Sequence, residues 1–325
     1  MMREIIYSLP EQISEAVNLV SIKAFRARKY EMVLICGMGG SGISGEILSA
    51  LYPDILIVSN KDYDIPRFVG RETLAIIVSY SGNTEETLNN YRHLSRRKID
   101  MVLISSNGKL LKRKAHRKIC IPGGLPPRGA LGYLFTPLPI TMYQAGFIKN
   151  DPRRQLLALS AFLGRERDRI EKKAKNLAAR FFNKMAIIYA DSAAFLPVAN
   201  RWRCQLNENA KVLAHINVIP EMNHNEIVGL GRPRHFNKDL TVVFLSDPRA
   251  HPRNKLRKRL LESLVGGEIR MTLDISPRGN TALQQMFWTI MLGDFISYYL
   301  ALKEGVDPMP VTRIERLKKE MSKHK

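Results

Sequence analysis

The chain has 325 residues, of which 45% are hydrophobic and 25% are charged, and its formal net charge is +21 at pH 7. This composition predicts a soluble globular protein of one large or two ordinary domains. The three cysteines are odd in number and form no CxxC pair, which argues against a disulfide framework or a zinc site and favours a reducing, cytoplasmic setting.

Neither a membrane role nor a nucleic-acid role is favoured. The N-terminal residues MMREIIYSLPEQ lack the apolar core of a signal peptide. Residues 129–148 are uncharged, but their prolines and polar groups suit a pair of buried helices better than a membrane span. Basic residues are scattered through runs such as 112–118 and 253–259, without a helix-turn-helix or an aromatic-interleaved RNA motif. We therefore expect a basic surface suited to anionic substrates.

The first half of the chain alternates short β-branched runs with helical patterns. Helices are predicted around residues 43–51 and 84–97, and strands are predicted at 32–37, 55–59, 74–79, 101–106 and 118–122. Such alternation predicts a parallel sheet covered on both faces. The pattern breaks near DPRR at residues 151–154.

The second half repeats this order after a long charged helix predicted over residues 155–183. Its predicted strands are followed by an apolar helix over 281–303 and a basic C-terminal helix, TRIERLKKEMSKHK; the strands lie at 185–190, 216–220, 240–246 and 269–275. The repeated order indicates a structural duplication into domains 1–152 and 153–325. The predicted fold is α/β, with two doubly wound parallel sheets and a ligand cleft between them at the carboxyl ends of the strands.

The stretch CGMGGSGISG, residues 36–45, follows the first predicted strand and leads into a helix. Backbone N–H groups and the helix dipole stabilise an anion at such a position, and glycine allows a close approach. Gly37, Gly39 and Gly42 match the dinucleotide fingerprint. Asp62 stands near the position where a nicotinamide site needs an acid. This loop alone is compatible with a dinucleotide or with another phosphate ligand.

A second loop, SYSGNTEET at residues 79–87, follows the third predicted strand. Gly82 permits the turn, and Thr84 occupies the position of a helix N-cap. The two loops would converge on one phosphate dianion and bind it through hydroxyls and amides. Because a dinucleotide site has no use for the second loop, the pair favours a small phosphate ester.

GGSG followed by SYSGNTEET resembles the sugar isomerase (SIS) domain, whose Ser/Thr-rich loops hold the phosphate of a phosphorylated sugar. Further motifs are similar to those of the bifunctional phosphoglucose/phosphomannose isomerases: PPRGALGYLF (126–135), QLNENAK (205–211), EMNHNEI (221–227) and the terminal RIERLKKEM. The resemblance covers essentially the whole chain. It implies two SIS domains, a homodimer, phosphorylated hexose substrates and an isomerase that uses no metal or cofactor.

The resemblance also implies roles for individual residues. The family's phosphate ligands fall on Gly40, Ser41, Ser79, Ser81 and Thr84. Its reacting side chains fall on Arg128, Glu208, His224 and Lys318. Lys319 is an adjacent alternative for the lysine, and the histidine is expected to enter from the neighbouring subunit. Thr312 is the nearest match to a threonine that leaves room for the C2 epimer.

These residue types suit aldose–ketose isomerisation, in which one proton moves between C1 and C2 through an enediolate. Glu208 supplies the single carboxylate base that the transfer needs, and Arg128 supplies positive charge for the developing oxyanion. His224 and Lys318 can share the two proton transfers that open a cyclic sugar, since histidine titrates near neutrality and a desolvated lysine approaches it.

Three other functions are weighed against this prediction. A non-catalytic SIS-domain sensor of sugar phosphates would usually carry a DNA-binding domain, for which the chain has no spare segment. An amino-sugar isomerase would normally carry glutamine-processing or deaminating machinery, of which the sequence shows no sign. A dinucleotide enzyme would bind NAD, so a measured absence of NAD binding would exclude this third function.

Overall fold

The computed structural model describes residues 1–20, 29–265 and 271–324. The first half forms a five-stranded parallel sheet in the order β2-β1-β3-β4-β5. Its strands are β1 (Met32–Cys36), β2 (Ile57–Asn60), β3 (Thr73–Val78), β4 (Asp100–Ser105) and β5 (Arg117–Cys120). Every residue of β1, β3 and β4 is buried, as expected of parallel strands with helices on both faces.

Within residues 1–20 and 29–152, seven helices accompany this sheet. They are α1 (Met2–Tyr7), α2 (Leu9–Leu19), α3 (Gly39–Leu51), α4 (Glu85–Arg96), α5 (Gly108–Leu111), α6 (Leu131–Phe135) and α7 (Pro137–Gln144). Helices α1 and α2 were not predicted from the sequence. They pack against the later helices through apolar faces. Residues 129–148 contain the short buried pair α6 and α7, as predicted.

The second half forms a four-stranded parallel sheet in the order β7-β6-β8-β9. Its strands are β6 (Met185–Ala190), β7 (Ala214–Val218), β8 (Leu240–Leu245) and β9 (Thr272–Ile275). In both sheets the first strand lies between the second and the third. This shared order confirms the predicted duplication of two doubly wound parallel sheets.

The helices of the second half are α8 (Arg153–Ala178), α9 (Leu196–Gln205), α10 (Glu226–Gly229), α11 (Pro252–Val265), α12 (Ala282–Lys303) and α13 (Thr312–Met321). Helix α8 packs on α2 from the first half and on α12 from the second. One hydrophobic core runs through both halves, from Val33 and Ile76 to Ile188 and Val243. The boundary between residues 152 and 153 stays a prediction.

Several predicted boundaries need correction. Helix α3 begins at Gly39 rather than at residue 43, so the glycine-rich stretch is itself the first turn of the helix. The long helix ends at Ala178, not at 183. Strand β9 begins at Thr272, and the start of the strand predicted at 269–275 lies outside the described residues. None of the described helices combines the length and apolar character that crossing a bilayer requires.

The two sheets differ in chemistry at the point where the strand order reverses. In the first sheet, the segments after β1 and β3 carry glycines and hydroxyl groups. In the second sheet, the segments after β6 and β8 carry Asp191 and Asp247, both 2% exposed. The Asp247 backbone N–H donates to Asp191 Oδ1 over 2.6 Å, and Ser192 Oγ donates to Asp247 Oδ2 over 2.8 Å.

Candidate active site

The first predicted phosphate-binding loop is the start of α3. Gly40 and Ser41 lie in its first turn, where backbone N–H groups have few partners within the helix. Gly40 packs closely against the backbone of Pro127, the residue before Arg128. A Cβ placed on Gly40 would lie only 3.2 Å from the Pro127 carbonyl oxygen. A larger residue at position 40 would therefore push the helix terminus away from the Arg128 segment.

The second predicted phosphate-binding loop follows β3, which is paired with β1 in the sheet. Thr84 is the N-cap residue of α4, but its hydroxyl does not cap the helix backbone. It lies 3.0 Å from the Ser79 hydroxyl instead, which corrects the expected capping role. Ser81 Oγ accepts a hydrogen bond from the Asn83 N–H over 3.3 Å. The two loops meet, since a Cβ on Gly37 would lie 3.0 Å from the Val78 carbonyl oxygen.

Gly82 holds the second loop against the turn after β4. Its φ is +64°, in the left-handed region that favours glycine. The Leu110 N–H donates to the Gly82 carbonyl over 2.9 Å, and Ser105 Oγ donates to the Ser79 carbonyl over 2.6 Å. Hydrogen bonds from β4 and from the helix α5 that follows it thus hold the loop that carries Ser79 and Gly82 in place.

Arg128 is 4% exposed and lies in the short 3-10 helix Pro127–Gly129. Its guanidinium donates to Asn209 Oδ1 over 2.7 Å and to the carbonyls of Pro308 and Met309 over 2.5 and 2.8 Å. Burial lowers the pKa of Arg128, and the nearby Glu208 carboxylate opposes this effect. An arginine stays protonated in proteins, so Arg128 is a fixed cation at the junction of the two halves.

Glu208 lies in a π-helical segment, Leu206–Ala210, that directly follows α9. Such a segment inserts an extra residue into a helical turn and often occurs at functional sites. Glu208 Oε2 lies 3.7 Å from Arg128 Nη1, and its side chain is 28% exposed. The carboxylate therefore has both a cationic neighbour and access to solvent.

A cavity of about 540 Å³ opens beside Glu208. Residues of the segments 207–213 and 310–314 line it, among them Lys211 and Thr312. Lys211 Nζ donates to the Glu208 and Pro310 carbonyls over 2.5 and 2.8 Å, and burial lowers its pKa. The start of α13, including Thr312, is thus held next to the predicted base.

His224 and Lys318 lie apart from this group. His224 is exposed in the segment after β7, and Lys318 is exposed on α13 together with Lys319. None of these three side chains is among those that line the cavity beside Glu208 in the described part of the chain. The chain thus brings Arg128 and Glu208 together and leaves the other two predicted reacting residues outside the cavity beside Glu208.

Three residues around Arg128 were not predicted from the sequence. Arg201 Nη2 donates to the Arg128 carbonyl over 2.6 Å and to Asp294 Oδ2 over 2.8 Å. Asn209 accepts from Arg128 and donates to Ser297 Oγ over 2.9 Å. A signal was present: Asp294 is the only acid in the apolar helix α12, and a lone buried carboxylate calls for a cationic partner.

Within the three described ranges, no group of three or more His, Cys, Asp or Glu side chains is arranged to hold a metal ion. The predicted site residues that the structure brings together are hydroxyls and backbone amides of the two loops, the buried Arg128 and the Glu208 carboxylate. This set is suited to binding a phosphate ester and to moving a proton.

Comparison with known proteins matches both halves of the chain to SIS families. Residues 33–148 match the SIS domain, and residues 170–321 match the bacterial phospho-glucose isomerase C-terminal SIS domain. Among solved structures, the C-terminal domain of glucosamine-fructose-6-phosphate aminotransferase from Francisella tularensis has a TM-score of 0.75 at 14% identity, covering 94% of this chain and 97% of that one. This structural likeness shows a shared fold.

Curated relatives are similar over nearly the whole sequence. A bifunctional phosphoglucose/phosphomannose isomerase of Caldicellulosiruptor bescii is 37% identical over 100% of both chains. One from Thermoplasma volcanium is also 37% identical, over 92% of this chain and 94% of the relative. With both domain matches and full-length similarity at this level, the chain belongs to the family of bifunctional phosphoglucose/phosphomannose isomerases.

Proposed function

We propose that the protein interconverts glucose 6-phosphate and fructose 6-phosphate, and mannose 6-phosphate and fructose 6-phosphate. The observation that carries the proposal is the position of Glu208, 3.7 Å from the buried guanidinium of Arg128 in a chain of this family. The segment bearing Arg128 packs directly on the first turn of α3, so reacting groups and phosphate loops are neighbours.

Glu208 is the base in this mechanism. Its carboxylate takes the proton from C2 of the open aldose, or from C1 of fructose 6-phosphate, and returns it to the other carbon. An ionised carboxylate is the form that accepts a proton, and Glu208 Oε2 lies 3.7 Å from Arg128 Nη1. The Glu208 side chain is 28% exposed and lines the cavity, where a substrate can approach it.

Arg128 stabilises the enediolate oxygen as negative charge develops. Preorganised donors act most strongly in such a role when they are buried and fixed before the reaction, and Arg128 is both. Gly40, Ser41, Ser79, Ser81 and Thr84 bind the phosphate of the same substrate. The Ser79 and Thr84 hydroxyls bond only to each other in the described structure, so they can turn toward an anion at small cost.

Ring opening is assigned to His224 and Lys318, with His224 supplied by the second subunit of a homodimer. The support is that the chain belongs to this family and that both side chains are exposed, so a facing subunit can bring His224 to the site. Helix α13 also exposes an apolar stripe, with Ile314 42%, Leu317 61% and Met321 44% exposed. Such a stripe on one helix face favours burial against another chain.

Thr312, which lines the cavity with Glu208, is the proposed position that tolerates both C2 epimers. Replacing it with leucine should lower turnover of mannose 6-phosphate more than that of glucose 6-phosphate. A cytoplasmic location is proposed with it, because three cysteines without a CxxC pair suit a reducing compartment.

The test is a coupled assay on fructose 6-phosphate in EDTA, with glucose 6-phosphate and mannose 6-phosphate scored separately. Glu208→Gln should abolish both products, because an amide does not act as a base. Glu72→Gln is the matched control, since Glu72 is an exposed acid just before β3, at the opposite end of the sheet. Bound sugar phosphate without turnover by the wild type would instead support a non-catalytic sensor.

A further inference from the structure

Buried residues of the second half of the chain hold Arg128 in place, and they have no role in the mechanism proposed so far. Arg201 lies on α9 and is 2% exposed, and Asp294 lies on α12 and is 5% exposed. The guanidinium of Arg201 grips Asp294 through two bonds, Nε to Oδ1 over 3.1 Å and Nη2 to Oδ2 over 2.8 Å. The same Nη2 donates to the Arg128 carbonyl over 2.6 Å.

A second connection runs to the side chain of Arg128. Asn209 is fully buried, and its Oδ1 accepts from Arg128 Nε. Its amide donates to Ser297 Oγ, which in turn donates to the Asp294 carbonyl over 2.7 Å. Both connections therefore end on a single turn of α12, between Asp294 and Ser297.

We propose that the Arg201–Asp294 pair is a positioning device for Arg128, fixing where its guanidinium meets the reacting carbons. The inference rests on the proposed function, because it gives a purpose to the position of Arg128. The pair fixes the backbone of Arg128 and Asn209 fixes its side chain, so the guanidinium has little freedom to move away from the enediolate oxygen. Positioning errors of about 1 Å reduce turnover by about a hundredfold.

A buried ion pair is by itself weak evidence for stability, since apolar residues of similar volume often replace such a pair without loss. This property allows a clean experiment. The double variant Arg201→Met/Asp294→Leu removes both charges together and leaves the Arg128 carbonyl without its donor. Arg201→Lys keeps a positive charge next to Asp294, but an ammonium lacks the planar fork that reaches two acceptors in fixed directions.

The kinetic constants for fructose 6-phosphate and the melting temperature are measured for each variant. We expect kcat to fall about tenfold to a hundredfold in both variants while KM changes less than about threefold, because the affected contact matters mainly in the transition state. Lys258→Met is the matched control: Lys258 is a buried cation, 7% exposed, that bonds Asp274 and Ser246 and not the Arg128 segment. It should leave kcat unchanged.

A double-mutant cycle separates positioning from a general structural effect. In an Arg128→Met background, replacing the Arg201–Asp294 pair should have no further effect on kcat, because its target is gone. A folded double variant with wild-type kcat, or equal losses with and without Arg128, would overturn the inference alone. Full activity of Arg128→Met would overturn the proposed role of Arg128 as well. If the double variant fails to fold, Arg201→Lys carries the same test, because it removes the two-bond grip on Asp294 while it keeps the buried charge balance.

Discussion

Replacing Gly82 with alanine should damage the phosphate site more than its backbone angle alone predicts. A Cβ at this position would lie 1.8 Å from the Asn107 carbonyl oxygen and 2.8 Å from Ser105 Oγ. Real contacts between a Cβ and such an atom stay above 3.0 Å. The loop that carries Gly82 and the turn that carries Asn107 must therefore separate by at least 1.2 Å, the difference between 3.0 and 1.8 Å. The obstacle is backbone, which gives way less readily than the end of a flexible side chain.

The expected loss of stability has two parts. Holding alanine at a φ of +64° costs about 1 kcal/mol. Separating the loops strains or breaks the bonds from the Leu110 N–H to the Gly82 carbonyl and from Ser105 Oγ to the Ser79 carbonyl, at about 1 kcal/mol each. The free energy of unfolding should therefore fall by about 3 kcal/mol. KM for fructose 6-phosphate should rise at least about tenfold, because the Ser79 and Thr84 hydroxyls move with the loop.

Gly146→Ala is the matched control, because Gly146 also has a positive φ of +85° but no atom within 4 Å of the added Cβ. It should lose about 1 kcal/mol and keep its KM. Urea unfolding and steady-state kinetics on the two variants make the comparison. Equal losses of stability at the two positions, with KM unchanged in both, would show that the overlap with Asn107 has no energetic weight.

Three further outcomes are expected. Mixing inactive Glu208→Gln and His224→Ala subunits should restore about a quarter of wild-type activity, since half of randomly paired dimers contain one intact site; no recovery would place His224 in its own subunit's site. Ser81→Ala should weaken inhibition by inorganic phosphate about tenfold without changing the melting temperature. Burial raises the pKa of Asp191 from 3.8 to about 6, so its carboxyl stabilises the fold fully below pH 3.8 and loses that contribution as pH rises through 6; Asp191→Asn should therefore match wild type near pH 4 and exceed it by about 2–3 kcal/mol at pH 8.

The sheet and the phosphate loops were predictable because their signals are local. Strands β1, β3 and β4 are continuous apolar runs, as strands buried on both faces must be. Glycines and hydroxyl-bearing residues directly follow β1 and β3. They mark the carboxyl edge of the sheet at the point where the strand order reverses. Even here the boundary of α3 was wrong by four residues, because Gly39, Gly40 and Gly42 have low helix propensity and the first turn forms around them nonetheless.

The surroundings of Arg128 were not predictable in the same way. Its partners are distant in sequence: Arg201 and Asn209 lie on α9 and the π-helical segment that continues it, and the carbonyls of Pro308 and Met309 lie just before α13. No local pattern encodes such contacts. The π-helical turn at Glu208 likewise depends on packing against α12, and the location of His224 in a working site depends on the proposed second subunit.

The reversal of strand order is built differently in the two sheets. After β6 and β8, Asp191 and Asp247 are both 2% exposed, and the Asp247 backbone N–H donates to Asp191 Oδ1. Arg249 Nε donates to Asp247 Oδ1 over 3.1 Å, so these acids are occupied by partners from their own chain. After β1 and β3, glycines and hydroxyl groups stand at the corresponding place. Under the proposed function, one copy of the fold binds the ligand, and the other supplies Glu208 and the residues that hold Arg128.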